Sequence, residues 1–181
     1  SEPHCLGGQQ SMEVTHMKDR TIRKIALCGI LAAAIVLLTM LVSIPIPGGL
    51  GFVNLGDAGV LSAAFLLGGP WGALTGGAAS ALADLLLGYA VYMPATFVIK
   101  GGMALLFCLL QKVMKPRLQV LAFFISALLV PFGYFLYETI LYGGAAALPN
   151  VPFNLVQCLV GAAVAFAATR LFRNRSIGGL Q

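Results

Sequence analysis

Charge is what this sequence has least of. Only 9% of its 181 residues are Asp, Glu, Lys or Arg, while 59% are hydrophobic, against roughly 25% charged in a typical soluble domain. Mean hydropathy is +0.93. Such a chain cannot coat itself with a water-facing surface, which excludes a soluble globular domain, a disordered chain and a nucleic-acid binder. No histidine follows His16, and there is no HExxH, GxSxG or GxxxxGK[ST]. Intramembrane metalloprotease chemistry therefore lacks its ligands and a self-contained ATP-driven pump lacks its phosphate loop; no catalytic residue, metal site or cofactor of the chain's own is expected. Cys5, Cys28, Cys108 and Cys158 have no paired spacing. The last three fall in apolar runs, where a thiol packs as a small hydrophobe, and no disulfide framework follows.

The charges that are present are grouped. Lys18, Arg20, Arg23 and Lys24 precede the first apolar run; Lys112, Lys115 and Arg117 form a second group, and Arg170, Arg173 and Arg175 a third. Between Ile25 and Gln111 only Asp57, Asp84 and Lys100 are charged, and between Leu118 and Thr169 only Glu138. A spanning helix needs about 20 mainly apolar residues. Breaks at Pro, Gly and charges give six candidate spans near 22–44, 57–69, 71–88, 94–112, 118–142 and 150–171. With short connections, all three basic clusters share one face and the opposite loops hold no Lys or Arg. The positive-inside rule then predicts an all-α six-helix membrane bundle with both termini cytoplasmic.

Residues 1–16 are polar and precede Met17-Lys18-Asp19-Arg20, which reads like a natural start. They are read as leader or expression-derived sequence, expected to be disordered and excluded from the fold. Residues 17–175 form the membrane domain and 176–181 a cytoplasmic tail.

In the first span, Gly29 and Ala33, with Ala26 on nearly the same face, make a small-xxx-small pattern that admits a second helix at close range. Packing within the chain's own bundle and docking of a partner protein both fit it. The segment from Ile44 to Asp57 contains Pro45, Pro47, Gly48, Gly49, Phe52 and Asn54. Proline and glycine forbid a regular helix here, so its backbone lies at the surface or over a protein cavity. It is longer and less polar than a plain connector, which favours a lid over a ligand.

Ionisable groups at bilayer depth cost about 2.5–3.5 kcal/mol even on the forgiving insertion scale, and so face a cavity or one another. Asp57 suits an N-cap of the second span. Asp84 and Lys100 both fall in the outer half and can pair, which offers a purely structural role beside a ligand-binding one. Tyr134, Glu138 and Tyr142 recur at i, i+4 and i+8 on one helix face. Asn150, Asn154 and Gln157 form a second polar face at similar depth. Tyr89, Tyr92 and Tyr137 also belong to the outer half. An interfacial aromatic belt explains some of the tyrosines, but not Glu138, Asn154 and Gln157. Together these groups outline an outward-facing, aromatic-walled pocket with a few polar groups.

The blocks Phe52-Val-Asn-Leu-Gly-Asp57, Leu66-Leu-Gly-Gly-Pro-Trp-Gly72, Ser80-Ala-Leu-Ala-Asp-Leu-Leu-Leu-Gly-Tyr89 and Pro94-Ala-Thr-Phe-Val-Ile-Lys-Gly101 jointly resemble the substrate-binding S component of an energy-coupling factor (ECF) vitamin transporter. The resemblance spans Met17 to about Arg175 and is strongest to the riboflavin, pyridoxine and hydroxymethylpyrimidine branch. It implies a six-helix bundle in the bacterial cytoplasmic membrane that binds one vitamin near its outer side. It also implies a transmembrane coupling subunit docked on a small-residue motif of the first helix, matched here by Gly29 and Ala33 with Gly in place of the first Ala. Two cytoplasmic ATPase subunits, using ATP and Mg, would drive the cycle, and the loop from Pro45 to Asp57 would gate the site.

The expected function is capture of a small vitamin or precursor by an ABC-type transport subunit that is not itself an enzyme. Candidate ligand-binding residues are Asp84, Tyr89, Tyr92, Lys100, Tyr134, Glu138, Tyr142, Asn154 and Gln157. Two carboxylates against one lysine favour a ligand rich in N–H or O–H donors, pyridoxine or hydroxymethylpyrimidine before riboflavin. The competing readings are a solitary secondary transporter using Asp84, Lys100 and Glu138 as a proton relay, and a membrane scaffold that binds no small molecule.

Overall fold

The computed structural model describes residues 6–45 and 52–174, with side-chain surroundings from Arg20 to Pro45 and from Phe52 to Leu171. Pro47, Gly48 and Gly49 of the expected gate lie outside the described residues, as do residues 1–5 and the 176–181 tail. Helix α1 runs Leu6–Leu41 and is followed by strand β1, Ser43–Pro45, which pairs antiparallel with β2, Phe52–Asn54. Then come α2 (Gly56–Leu67), α3 (Gly69–Leu86), α4 (Met93–Val113), α5 (Gln119–Ala127), α6 (Leu129–Tyr142), the single turn α7 (Gly144–Ala147) and α8 (Val151–Asn174).

Helix boundaries follow the breakers. The Gly68 N–H closes α2 on the Ala64 carbonyl, and Pro70 stands at the first turn of α3, where its missing N–H costs nothing. Pro94 does the same for α4. The expected fifth span is α5 and α6 joined at Leu128, and the expected sixth is α8.

The polarity of the molecule is inverted relative to a soluble protein. Ile30, Val98, Leu109 and Ile140 are 67%, 69%, 59% and 82% exposed, whereas Asp57, Asp84, Lys100, Glu138, Asn150, Asn154 and Gln157 are all buried. Only a hydrocarbon solvent makes that arrangement favourable, so the chain is an all-α membrane protein. Among the described residues four stretches are long and apolar enough to cross a bilayer: Arg20–Leu41, Met93–Val113, Pro116–Tyr142 and Gly144–Leu171. The expected second span is the 12-residue α2, too short to cross as a regular element, and α3, the expected third, is not among the four.

Small residues set how close the helices come. Helix α3 packs most extensively on α4, where a Cβ on Gly77 would stand 2.7 Å from the Phe97 carbonyl oxygen. At the α2–α8 crossing a Cβ on Gly161 would stand 2.6 Å from the Asp57 Cβ. A side chain at either place would wedge the helices apart, and in lipid close packing is the main attraction between them. Around this frame lie Ile35, Leu61, Met103 and the ring cluster of Phe107, Phe123 and Phe166.

Gly161→Ala is therefore expected to destabilise the protein by about 1–3 kcal/mol through overpacking. Gly29→Ala, where nothing lies within 4 Å of the added carbon, is expected to leave the thermal midpoint in detergent unchanged.

Candidate functional site

Asp57 stands in the first turn of α2, and its carboxylate forms a buried ion pair with Lys100 of α4. Gln157 of α8 donates from Nε2 to Asp57 Oδ2 at 3.0 Å. The same side chain accepts at Oε1 from the Asn54 backbone N–H at 2.9 Å, and Asn54 Oδ1 accepts from the Gly56 N–H at 2.8 Å. One polar chain thus joins α4, α2, α8 and β2. A buried charge pair is tolerable only when further hydrogen bonds satisfy its remaining atoms, and Gln157 does this.

Two expectations are corrected by this network. Asp57 is not an N-cap: Leu55 holds the cap position with no side-chain bond, and Asp57 is fully buried. Lys100 does not pair with Asp84, because Asp57 reaches its ammonium from the adjacent helix. A proton relay through Asp84, Lys100 and Glu138 accordingly lacks its middle member.

Just outside this network lies a cavity of about 30 Å³, room for about one water molecule. Asp84 lines it from the last turn of α3, Tyr89 and Tyr92 from the turn between α3 and α4, Thr96 from the first turn of α4, and Tyr134 and Glu138 from α6. Asn154 and Gln157 of α8 and Phe52 and Asn54 of β2 complete the wall. The rings form a continuous stack: Phe52–Tyr89 at 5.0 Å, Tyr89–Tyr92 at 6.3 Å and Tyr92–Tyr134 at 6.2 Å between centroids. Edge and tilted contacts of this kind hold the rings rigid.

The two carboxylates here are not equivalent. Glu138 accepts from the Tyr92 hydroxyl at 3.4 Å and from Asn150 Nδ2 at 2.9 Å, so both its oxygens are engaged. Asp84 is bonded to Thr96, whose hydroxyl also lies 2.8 Å from that of Tyr134. Its Oδ2 is buried without a hydrogen-bond partner. An orphaned carboxylate oxygen facing an aromatic cavity suits a ligand that supplies an N–H or O–H donor.

Among the residues expected to bind ligand, the structure gathers Asp84, Tyr89, Tyr92, Tyr134, Glu138, Asn154 and Gln157 around this cavity. Lys100 is not on its wall; its ammonium lies behind, 5.7 Å from the Tyr134 ring centre. Tyr142 is also off the wall, 43% exposed at the end of α6, with its hydroxyl bonded to that of Tyr92. Phe52 and Asn54, expected in the gate, are part of the wall itself, while Pro45 is exposed on β1. Thr96 was not anticipated; its position one turn before Lys100 on the same face was the available signal. Among the described residues no three His, Cys, Asp or Glu converge to hold a metal.

Ala26, Gly29 and Ala33 all face outward on α1. The small-residue face therefore does not serve packing within the bundle, the first of the two roles the sequence allowed.

The family described as "ECF-type riboflavin transporter, S component" matches residues 19–173. The thiamine precursor transporter HmpT of Lactococcus lactis subsp. cremoris (strain MG1363) is 33% identical over 162 residues, 89% of this chain and 94% of that protein. An uncharacterised protein of Pyrococcus woesei is 33% identical over 129 residues, 71% of this chain and 86% of its own length.

Breaking the buried pair by Asp57→Asn or Lys100→Met alone is expected to cost about 3–5 kcal/mol, because each leaves an uncompensated buried group. The double variant is expected to recover most of that loss. Unfolding midpoints of the three variants in detergent, treated as a double-mutant cycle, measure it.

Proposed function

The chain belongs to the ECF-type riboflavin transporter S component family, and from that membership and the cavity geometry we propose that it captures an aminopyrimidine, the hydroxymethylpyrimidine precursor of thiamine, from outside the cell. It is a multi-pass transport subunit of the bacterial plasma membrane and not an enzyme. The observation that carries the ligand assignment is the orphaned Asp84 Oδ2 within a ring-walled cavity. An exocyclic amino group supplies the donor this oxygen lacks, and a flat ring fits between Tyr89, Tyr92 and Tyr134. The printed description of the Lactococcus relative as a thiamine precursor transporter supports the same choice. Pyridoxine has a hydroxyl-rich ring without an amino group, and the three fused rings of riboflavin need far more room.

The cavity at about 30 Å³ is smaller than a pyrimidine, so entry requires a wall to give way. Strand β2 is the wall that gives way in our reading: with Tyr89 and Tyr92 of the α3–α4 turn it makes the part of the lining outside the helices, and it belongs to the segment the resemblance assigns to the gate. Its displacement separates Phe52 from Tyr89 and Asn54 from Gln157, and a bound ring restores the packing. Six membrane crossings with both termini in the cytoplasm are supported by the basic residues Arg20, Arg23, Lys24, Lys112, Lys115, Arg117 and Arg170, which all lie at the end away from the cavity. The outward face of Ala26, Gly29 and Ala33 offers the close approach a transmembrane coupling subunit needs. Two ATPase subunits would supply ATP hydrolysis with Mg.

Calorimetric titration of the purified chain tests the ligand. Hydroxymethylpyrimidine is expected to bind in the micromolar range or tighter, ahead of pyridoxine and riboflavin. Asp84→Asn is expected to weaken it roughly tenfold to a hundredfold, as loss of a charge-assisted hydrogen bond worth about 1.5–3 kcal/mol requires. Wild-type affinity in that variant, or preference for riboflavin, contradicts the assignment.

A further inference from the structure

A second cavity, of about 170 Å³, lies at the opposite end of the bundle between α2, α4, α5 and α8. That is comparable to the ~150 Å³ apolar cavity that accepts a benzene ring. Its floor is Phe65, Phe123 and Phe166, with Phe123 stacked 4.6 Å from Phe107 and 5.7 Å from Phe166. Its rim carries Arg117, in the turn before α5, and Arg170, near the end of α8. The Arg170 guanidinium sits 5.0 Å from the centre of the Phe166 ring, a cation–π contact that holds it over the opening.

The other polar groups of this cavity are already engaged. Thr169 donates to the Phe166 carbonyl at 3.0 Å, and Gln111 Nε2 donates to the Gln119 carbonyl at 3.1 Å. Among the described residues the ion pair of Lys100 with Asp57 is the only one, so neither rim arginine has a carboxylate partner. The unused hydrogen-bonding capacity of the site is thus cationic and forked, which suits phosphate oxygens. Arg117 and Arg170 stand at the ends of the apolar stretches Pro116–Tyr142 and Gly144–Leu171, the depth of lipid headgroups. Phe65 and Leu121 are exposed on the flank, so the floor continues into a lipid-facing surface.

We propose that this cavity is a site for an anionic phospholipid, with its phosphate between Arg117 and Arg170 and the start of an acyl chain against Phe65 and Phe166. Basic recesses between helices at the cytoplasmic side recognise anionic headgroups by this same chemistry. A free phosphate would use the two arginines and leave the aromatic floor uncovered.

Native mass spectrometry of the delipidated full chain, given phosphatidylglycerol or phosphatidylcholine in neutral detergent, tests this. Phosphatidylglycerol is expected to bind at least tenfold more tightly. Arg117→Gln with Arg170→Gln is expected to abolish the preference. Lys112→Gln with Lys115→Gln, which removes the same charge from exposed positions outside the cavity, is expected to keep it. Equal binding of the two lipids by the unaltered chain overturns the proposal, whatever the stability of any variant. So does a preference that survives in the arginine variant. Inorganic phosphate that displaces phosphatidylglycerol at equal concentration would assign the site to a free anion and overturn the lipid.

Discussion

An ammonium and a carboxylate removed from water each lose several kcal/mol of hydration, and inside a lipid-facing bundle that loss is recovered only through partners built into the protein. Lys100 and Asp57 recover it against each other, with Gln157 bonded to the carboxylate from a third helix. This requirement fixes much else. Helix α2 must approach α8 closely enough for Gln157 to reach Asp57, which is why position 161 has no room for a side chain. Because the same Gln157 holds the Asn54 backbone, strand β2 is tied to the interior by the group that satisfies the ion pair.

The cavity inherits its shape from that arrangement. Helices α3, α4 and α6 contribute Asp84, Thr96 and Tyr134 above a floor closed by the Lys100 pair, and β2 closes the remaining side with Phe52 over Tyr89. Glu138 is saturated by Tyr92 and Asn150 and serves to orient them. Asp84 retains an open acceptor. Under the proposed function, this division of labour between the carboxylates, one holding the wall and one with an open acceptor, would favour a donor-bearing ring.

Much of this was legible in the sequence because charge inside a span is costly, so each of Asp57, Asp84, Lys100 and Glu138 had to have a purpose. The pairing was not legible. Asp84 and Lys100 lie at similar depth by counting, but adjacency of α2 to α4 is a property of the packed bundle, and it gives Lys100 to Asp57. Tyr142 shares a helical face with Tyr134 and Glu138, yet one further turn carries it beyond the cavity to the end of α6. Thr96 carries no such signal, because a hydroxyl in a span is inexpensive when it bonds locally. The small-residue face on α1 was plain as a pattern, whereas its direction, outward at Ala26, Gly29 and Ala33, depends on how α1 is rotated against α2 and α3.

Under the proposed function, the polar network inside this lipid-solvated bundle builds a site for one small amino-substituted ring. Chromatography and mass spectrometry of the small molecules released when the purified, natively expressed chain is denatured identify the occupant of that site. One hydroxymethylpyrimidine-type molecule per chain is expected, lost in the Asp84→Asn variant. Riboflavin in that fraction, or the same aminopyrimidine retained in full by the variant, would contradict it.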